Sequence, residues 1–137
     1  MTEEVIVEAR DGIQTIRINR PDKKNALKRD MYESMISALE AGDASGDVAV
    51  HVFLGTNGVF TAGNDISDFA AHDGTARDNN QGAPGFIRRL PVVRKPMVAA
   101  VDGLAVGIGT TMLFHCDLVF ASPAASFRTP FLDLGIV

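Results

Sequence analysis

The sequence has little of what marks a secreted, membrane-spanning or nucleic-acid-binding protein. Its 137 residues contain one cysteine, Cys116, which permits no internal disulfide and is typical of a reducing compartment. The N-terminus carries Glu3 and Glu4 where a signal peptide would carry positive charge. The longest apolar stretch, residues 97–114, is interrupted by Asp102, so we expect no membrane partner. Thirteen Lys and Arg against 17 Asp and Glu give a net charge of −4, which argues against a nucleic-acid partner. We therefore predict a cytoplasmic protein.

The composition is that of one compact domain. Hydrophobic residues make up 46% and charged residues 22% of the chain, a balance typical of globular proteins. A chain of this length buries roughly 65–70% of its unfolded surface, which is enough for a true core. The chain stops at Gly135-Ile136-Val137 without a closing element, so we expect it to be part of a longer domain.

Hydrophobic patterns predict strands that alternate with helices. Asp11-Gly12 between two β-rich runs is a strong hairpin signal, and apolar residues from Leu27 to Leu39 recur at helical spacing. The predicted strands cover 5–9, 13–18, 48–54, 97–101, 118–121 and 125–128, and the predicted helices cover 27–42, 66–71 and 86–90, with a further helix starting at 107–109. Residues 55–65 are predicted as a glycine-rich loop and 72–85 as a mobile surface loop. This alternation predicts an α/β fold with parallel strand pairing.

Two glycine-containing loops, each between a strand and a helix, are the strongest candidates for chemistry. Residues 60–65 and 106–111 carry small side chains that let a ligand approach the backbone. The first amides of a helix have no partner within the helix and favour negative charge. If the two loops face each other, a pair of N–H groups can hold a carbonyl oxygen that becomes an oxyanion. The alternative is that these glycines only permit tight turns.

Gly107-Ile108-Gly109 has a second interpretation, a dinucleotide-binding loop. That fingerprint needs a third small residue three positions on, where Met112 stands, and it needs an early strand–loop context that is missing. The sequence therefore disfavours a dinucleotide site.

Ordered motifs along the chain together resemble the enoyl-CoA hydratase/isomerase (crotonase) superfamily. They are RPDKKNAL at 20–27, FTAGNDI at 60–66, KPMVAAVDGLAVGIG at 95–109, and the run from CDL at 116–118 to FRTPF at 127–131. The resemblance implies a spiral of repeated ββα units, with residues 1–137 forming the N-terminal portion of a crotonase-like acyl-CoA-binding domain. It also implies a homotrimer or dimer of trimers, and no cofactor beyond the coenzyme A of the substrate.

The resemblance also implies which residues form the site. In this family two main-chain amides bind the thioester oxygen, and matched residue by residue they fall on Asn64 and Ile108. Main-chain donors suit an oxygen that gains charge when a proton leaves the α-carbon. The residues that the resemblance brings to the coenzyme A site are Lys24, Ala26, Leu27, Lys28, Ala62, Gly63, Asp65, Ile66 and Gly107.

Two basic clusters are candidates for the phosphates of coenzyme A. The first cluster, within residues 20–29, has one carboxylate, Asp22, against five cations, which are Arg20, Lys23, Lys24, Lys28 and Arg29. The second cluster consists of Arg88, Arg89, Arg94 and Lys95. For either cluster the alternative is a solvated charged face.

The acid/base residue is the point at which branches of this superfamily differ. Hydratases use two glutamates, but the matched positions are Thr111 and Phe131, which cannot transfer a proton as a carboxylate does. The run FRTPFLDLG at 127–135 is similar to an isomerase branch, in which one glutamate a few residues later moves a proton between C2 and C4. That position lies at or just past Val137. Asp133 is a weak surrogate base, and Asp68 is a weaker one.

We therefore expect a Δ3,Δ2-enoyl-CoA isomerase. The alternatives are an enoyl-CoA hydratase or another crotonase-type reaction, and a non-catalytic coenzyme A-binding fragment or pseudoenzyme.

The remaining polar candidates favour structural roles. Asp117 is predicted to be a structural carboxylate at a helix end, and His115 a helix-end or packing residue. His51 lies in an apolar strand with no partner in view, and His72 falls in the predicted surface loop. Cys116 lacks the paired base that a nucleophile needs, and no spacing of ligand residues predicts a metal site.

Overall fold

The computed structural model describes residues 3–70 and 80–135, which form two β-sheets with helices packed on them. The strands are β1 (Val5–Arg10), β2 (Gly12–Ile18), β3 (Val48–Leu54), β4 (Val59–Thr61), β5 (Met97–Val101), β6 (Leu104–Val106), β7 (Leu118–Ala121) and β8 (Ser126–Arg128). The helices are α1 (Arg29–Ala44), α2 (Ile66–Ala70), α3 (Gly82–Arg89) and α4 (Ile108–Thr111), with 3₁₀ turns at Pro21–Lys23, Leu90–Val92 and Met112–His115.

The sheet topology follows from a repeated strand pair. The larger sheet has the order β1-β2-β3-β5-β7, in which β1 and β2 form the predicted antiparallel hairpin and the other neighbours are parallel. The smaller sheet has the order β4-β6-β8 and is entirely parallel. The pairs β3–β4, β5–β6 and β7–β8 each add one strand to each sheet, and the first two pairs lead into helices. This is the ββα spiral that the resemblance implies.

The main core lies between the larger sheet and helices α1 and α3. Met31, Met35 and Leu39 recur at i, i+4 and i+8 on α1 and are buried. They belong to the same buried cluster as Phe53 of β3 and Phe86 of α3, whose ring centroids lie 6.3 Å apart in an edge-to-face arrangement. Each such side chain contributes about 1.5–3 kcal/mol by leaving water, so this core holds α1 firmly on the sheet.

The prediction for residues 82–90 was wrong, because the helix there begins at Gly82 and not at Phe86. A tertiary contact sets this start, because the Gly82 N–H donates to the Glu33 carboxylate of α1 at 2.6 Å. Within the first turn, the Gly85 N–H donates to the Gln81 carbonyl. The local composition, rich in glycine and proline, does not reveal such a contact. The rest of the predicted surface loop, residues 72–79, lies outside the described residues.

The prediction of a continuous loop over 55–65 was also wrong, because β4 lies within it. β6, directly after the turn at Asp102-Gly103, was likewise not predicted. Each strand has three residues, which is too short for an alternating pattern to show. Their parallel pairing stabilises them, and it builds the smaller sheet.

The second basic cluster is partly used inside the fold. Lys95 Nζ donates to the carbonyls of Gly42 and Ser45 at the C-terminal end of α1, where a cation complements the helix dipole. Arg89 forms an ion pair with Glu40 of the same helix. These two cations therefore anchor α1. Half of the four cations in the predicted phosphate cluster are thus already engaged within the fold.

His51 does have a partner, which corrects the sequence interpretation. Its Nε2 lies 3.1 Å from Asp43 Oδ1, and both side chains are buried or nearly so. Burial raises the pKa of Asp43, but hydrogen bonds from the Arg94 N–H, His51 and the Lys95 N–H outweigh burial and lower it. The partner was missed because it lies on α1 while His51 lies on β3.

Candidate active site

The pairing of β4 with β6 brings the two candidate loops together. Val59 pairs with Leu104 and Thr61 with Ala105 in parallel register. Parallel neighbours end at the same edge of a sheet, which is where open α/β sheets bind ligands. The loop 62–65 and the turn 107–108 are therefore adjacent.

Glycine allows the two loops to touch. Gly63 has φ +87° and packs so closely on β6 that a Cβ there would lie 2.9 Å from the Val106 carbonyl oxygen. A Cβ on Gly109 would lie 2.5 Å from Cγ2 of Thr61. Side chains at these two positions would push the loops apart, so the glycines set the width of the site.

The amide of Asn64 points away from the segment that holds its loop. The Leu27 N–H donates to the Gly63 carbonyl at 2.7 Å, and the Asp65 N–H donates to the Leu27 carbonyl at 2.8 Å. The Gly63 carbonyl and the Asn64 N–H belong to one trans peptide group and point in opposite directions, so the N–H of Asn64 faces away from Leu27. Within the described residues it has no hydrogen-bond acceptor.

The amide of Ile108 lies at the first position of α4. Gly107 caps this helix with φ +60°, and its carbonyl accepts the Thr110 and Thr111 N–H groups at 3.0 Å. The Thr110 hydroxyl donates to the Ala105 carbonyl at 2.8 Å, which fixes the helix start on β6. The first N–H groups of a helix have no internal partner, and no acceptor for the Ile108 N–H lies in the described part of the chain.

Asn25 is the buried residue that holds this site together, and sequence analysis missed it. Its Oδ1 accepts from the Arg20 N–H, and its Nδ2 donates to the carbonyls of Thr56 and Val59 at 3.2 and 2.7 Å. Its own carbonyl accepts from the Thr61 hydroxyl at 2.6 Å. An asparagine beside two lysines gives no signal that it is buried, because its partners are distant in sequence.

The residues predicted to contact coenzyme A surround the same loops. The Lys24 carbonyl accepts from the Ala62 N–H at 3.0 Å, so the segments 24–27 and 62–66 lie side by side. Leu27 is buried, the side chain of Lys24 is exposed, and Ile66 is 75% exposed.

Several charged members of this set are already paired. Arg20 Nη1 lies 2.6 Å from Asp65, and Lys28 Nζ lies 2.7 Å from Glu4. Hydrogen bonds from the Ser67 hydroxyl and from Arg20 hold the pKa of Asp65 well below its usual range. Of the first basic cluster, only Lys23 and Lys24 have exposed side chains without a partner in the described residues.

Phe131 is one of the two positions that the resemblance matches to a hydratase glutamate. The ring of Phe131 packs against Gly107, 3.7 Å from the position of an added Cβ. Asp133 lies exposed in the terminal turn. Asp68 accepts the Arg29 N–H at the start of α1, so its carboxylate is used structurally.

The predicted structural role of Asp117 is confirmed. Its carboxylate accepts from the Met97 N–H at 2.8 Å, tying the end of the turn 112–115 to β5. Burial and the adjacent Asp117 raise the pKa of Cys116 to about 11, which keeps this thiol protonated and disfavours a nucleophilic role.

A surface cavity of about 580 Å³ lies elsewhere, at the carboxyl ends of β3, β5 and β7. Arg17, Asp102 and Ser122 are among its lining residues, and neither Asn64 nor Ile108 is. We assign the site to the two loops because they are adjacent and each presents a backbone N–H that has no acceptor among the described residues. Across residues 3–70 and 80–135 no helix is long and apolar enough to cross a bilayer, and no group of ligand side chains could hold a metal ion.

The chain is similar in sequence to known proteins over nearly its whole length. A family model described as enoyl-CoA hydratase/isomerase matches residues 8–137. The chain is 39% identical over 135 residues to enoyl-CoA delta isomerase 2 of Rattus norvegicus, covering 96% of this chain and 34% of that protein. It is 34% identical over 134 residues to 2,3-dehydroadipyl-CoA hydratase of Escherichia coli K12, covering 98% of this chain and 52% of that protein.

Among solved structures, a candidate enoyl-CoA hydratase/carnithine racemase from Magnetospirillum magneticum AMB-1 superposes with a TM-score of 0.92. The two sequences are 47% identical, and the match covers 100% of this chain and 53% of that one. The chain thus spans between one third and about half of the length of these relatives.

Replacing the buried asparagine tests its role in holding the site. Asn25→Ala leaves the Thr56 and Val59 carbonyls without donors, which we expect to lower the free energy of unfolding by about 1–3 kcal/mol. Urea denaturation measures this loss. The matched control is Asn19→Ala, which removes an exposed bond to the Glu3 carbonyl and should change stability by less than about 0.5 kcal/mol. Equal losses in both variants would contradict the assigned role.

The paired carboxylate Asp65 predicts a pH dependence. Because its pKa is lowered in the folded state, it stabilises the fold above the ordinary aspartate pKa of about 3.9, and this contribution disappears as the pH falls below it. Asp65→Asn should therefore be less stable than the parent at neutral pH and equally stable in strong acid. Urea titrations across this range measure the difference, with exposed Asp47→Asn as control. A stability gap that persists unchanged in acid would refute the prediction.

Proposed function

The chain belongs to the enoyl-CoA hydratase/isomerase family, and from that premise we propose that it forms the thioester-binding part of a Δ3,Δ2-enoyl-CoA isomerase. The observation that carries the proposal is that the amides of Asn64 and Ile108, on adjacent loops after β4 and β6, have no acceptor in residues 3–70 and 80–135. The 39% identity to a rat enoyl-CoA delta isomerase supports the same reaction.

The chemistry needs such donors because proton removal creates charge on the thioester oxygen. When a base takes a proton from C2 of a 3-enoyl-CoA, the electrons spread over C2 to C4 and onto that oxygen. The Asn64 and Ile108 N–H groups would donate to the oxygen without having to reorganise, and losing one donor of such a pair raises the barrier by roughly 2.7–4 kcal/mol. Returning the proton to C4 completes the shift of the double bond to the 2-position.

We propose that one carboxylate performs both proton transfers, because a base that keeps the proton can return it at the second carbon. The isomerase-like run at 127–135 supports a glutamate just past Val137 as this base. Asp133, exposed in the terminal turn, is the weaker candidate.

Hydration is the second candidate, favoured by the 34% identity to an Escherichia coli hydratase. Thr111 and Phe131 argue against it. Hydration needs two carboxylates to activate a water, and neither of these positions carries one. The apolar ring of Phe131 against Gly107 would also exclude a water from that side of the site.

The complete polypeptide that contains this chain gives the direct test. With a 3-enoyl-CoA as substrate we expect the conjugated 2-enoyl-CoA to form, which its ultraviolet absorbance detects. With crotonyl-CoA we expect no 3-hydroxyacyl-CoA to form, which chromatography checks. Hydration without isomerisation would replace the proposal with its second candidate, and acyl-CoA binding without either reaction would identify a non-catalytic module.

Lys23 and Lys24 are the cations that we propose for the phosphates of coenzyme A. Both are exposed at the left-handed turn beside the 62–65 loop. We expect Lys23→Ala and Lys24→Ala each to raise KM for acyl-CoA about two- to fivefold with kcat unchanged, and the effect should shrink at high salt. Arg88→Ala, from the second basic cluster, is the matched control with KM unchanged. A KM that rises only in the Arg88 variant would move the phosphate site to that cluster.

We further propose that the protein is a cytoplasmic homotrimer or dimer of trimers that needs no cofactor beyond the coenzyme A of its substrate. The exposed apolar side chains of Leu118 and Phe120 on β7 and of Phe127 on β8 support association. The single cysteine supports a reducing compartment.

A further inference from the structure

We infer that Tyr32 is a positioning residue for the thioester site, acting through the side chain of Asn64. The Tyr32 hydroxyl donates to Asn64 Oδ1, in a contact that joins α1 to the loop after β4. This inference rests on the proposed function, since it assigns Tyr32 the task of fixing the direction of one of the two amide donors.

Tyr32 is itself held rigidly. Its side chain is 2% exposed, and its ring centroid lies 5.5 Å from that of Phe86 at an interplanar angle of 45°. Phe86 is fully buried and in turn meets Phe53 edge-on. The hydroxyl is therefore fixed relative to the core of the larger sheet, and it transmits that position to a loop of the smaller sheet.

The Asn64 side chain needs such a restraint because asparagine oxygens compete for nearby backbone N–H groups. Directly after it, Asp65 Oδ1 accepts from the Ser67 N–H at 2.9 Å and caps α2. Without the bond from Tyr32, the Asn64 side chain would be free to turn toward those amides. The backbone of residue 64 would then lose its tie to α1, and with it the fixed orientation of the peptide between residues 63 and 64, which carries the Asn64 N–H. The Tyr32 hydroxyl occupies Oδ1 and leaves the cap to Asp65.

The Tyr32 hydroxyl also stays protonated, and therefore remains a donor, near neutral pH. Burial, and secondarily the negative charge of Asp68, raise the pKa of Tyr32 above its usual value near 10. The bond to Asn64 therefore does not depend on pH near neutrality.

The test removes one oxygen from the complete polypeptide. For Tyr32→Phe we expect kcat for 3-enoyl-CoA to fall about three- to tenfold while KM changes less than about twofold, because binding contacts remain and the oxyanion donor is misaligned. A second readout is the carbonyl stretch of a bound acyl-CoA labelled with carbon-13 at the thioester. We expect this stretch to move to lower frequency on binding to the parent protein, and to move less in the variant.

The matched control is Ser34→Ala, which removes a hydroxyl that bonds the Asp30 carbonyl on the exposed side of the same helix. It should leave kcat and the carbonyl stretch unchanged. Asn64→Ala supplies a second route if Tyr32→Phe fails to fold, because it removes the acceptor and keeps both the Tyr32 ring and the residue 64 N–H. It should reproduce the loss, and the two substitutions combined should lower kcat no further than either alone.

The outcomes separate this inference from the proposed function. Normal isomerisation with unchanged kcat and carbonyl stretch in both single variants would overturn the role of Tyr32 alone. A parent protein that polarises the bound carbonyl without isomerising it, with polarisation reduced in Tyr32→Phe, would overturn the isomerase proposal and sustain the positioning role. Absence of any acyl-CoA binding by the parent would overturn both.

Discussion

The parallel pairing of β4 with β6 is the constraint on which the rest of the site depends. Thr61 lies opposite Ala105, and each strand then turns into a loop with one amide that no described residue accepts. Gly63 lets the first loop approach the Val106 carbonyl, and the φ of +60° at Gly107 turns the second loop into α4. Two short, largely buried strands of three residues each thus fix the separation of the two donors, which are both main-chain N–H groups.

The loop after β4 is held from three directions, each with a different chemical group. Asn25 ties it through buried hydrogen bonds to the carbonyl of Val59 and the hydroxyl of Thr61. Leu27 pairs with its backbone, and Tyr32 pairs with its side chain. Because all three belong to the stretch from residue 25 to the first turns of α1, that stretch is a scaffold for the site as well as a covering layer of the core.

Sequence reasoning recovered the elements that have a clear period and missed those that depend on distant partners. The hairpin at Asp11-Gly12 and the buried strand β3 carry local signals strong enough to read directly. β4 and β6 are too short to show alternation, and α3 begins where the Glu33 carboxylate meets Gly82. The candidate amides were named through family resemblance, whereas the supporting residues Asn25 and Tyr32 emerge only when residues 25 to 64 are brought together in space.

The central claim is that the amides of Asn64 and Ile108 bind one oxygen. The most direct measurement is the proton and nitrogen NMR signals of these two amides on addition of a 3-ketoacyl-CoA, whose stable enolate mimics the charged thioester. We predict that both amide protons shift downfield together, with the same dependence on ligand concentration. A ligand that binds while these two signals stay in place, or that shifts residues around the Arg17 and Asp102 cavity instead, would contradict it.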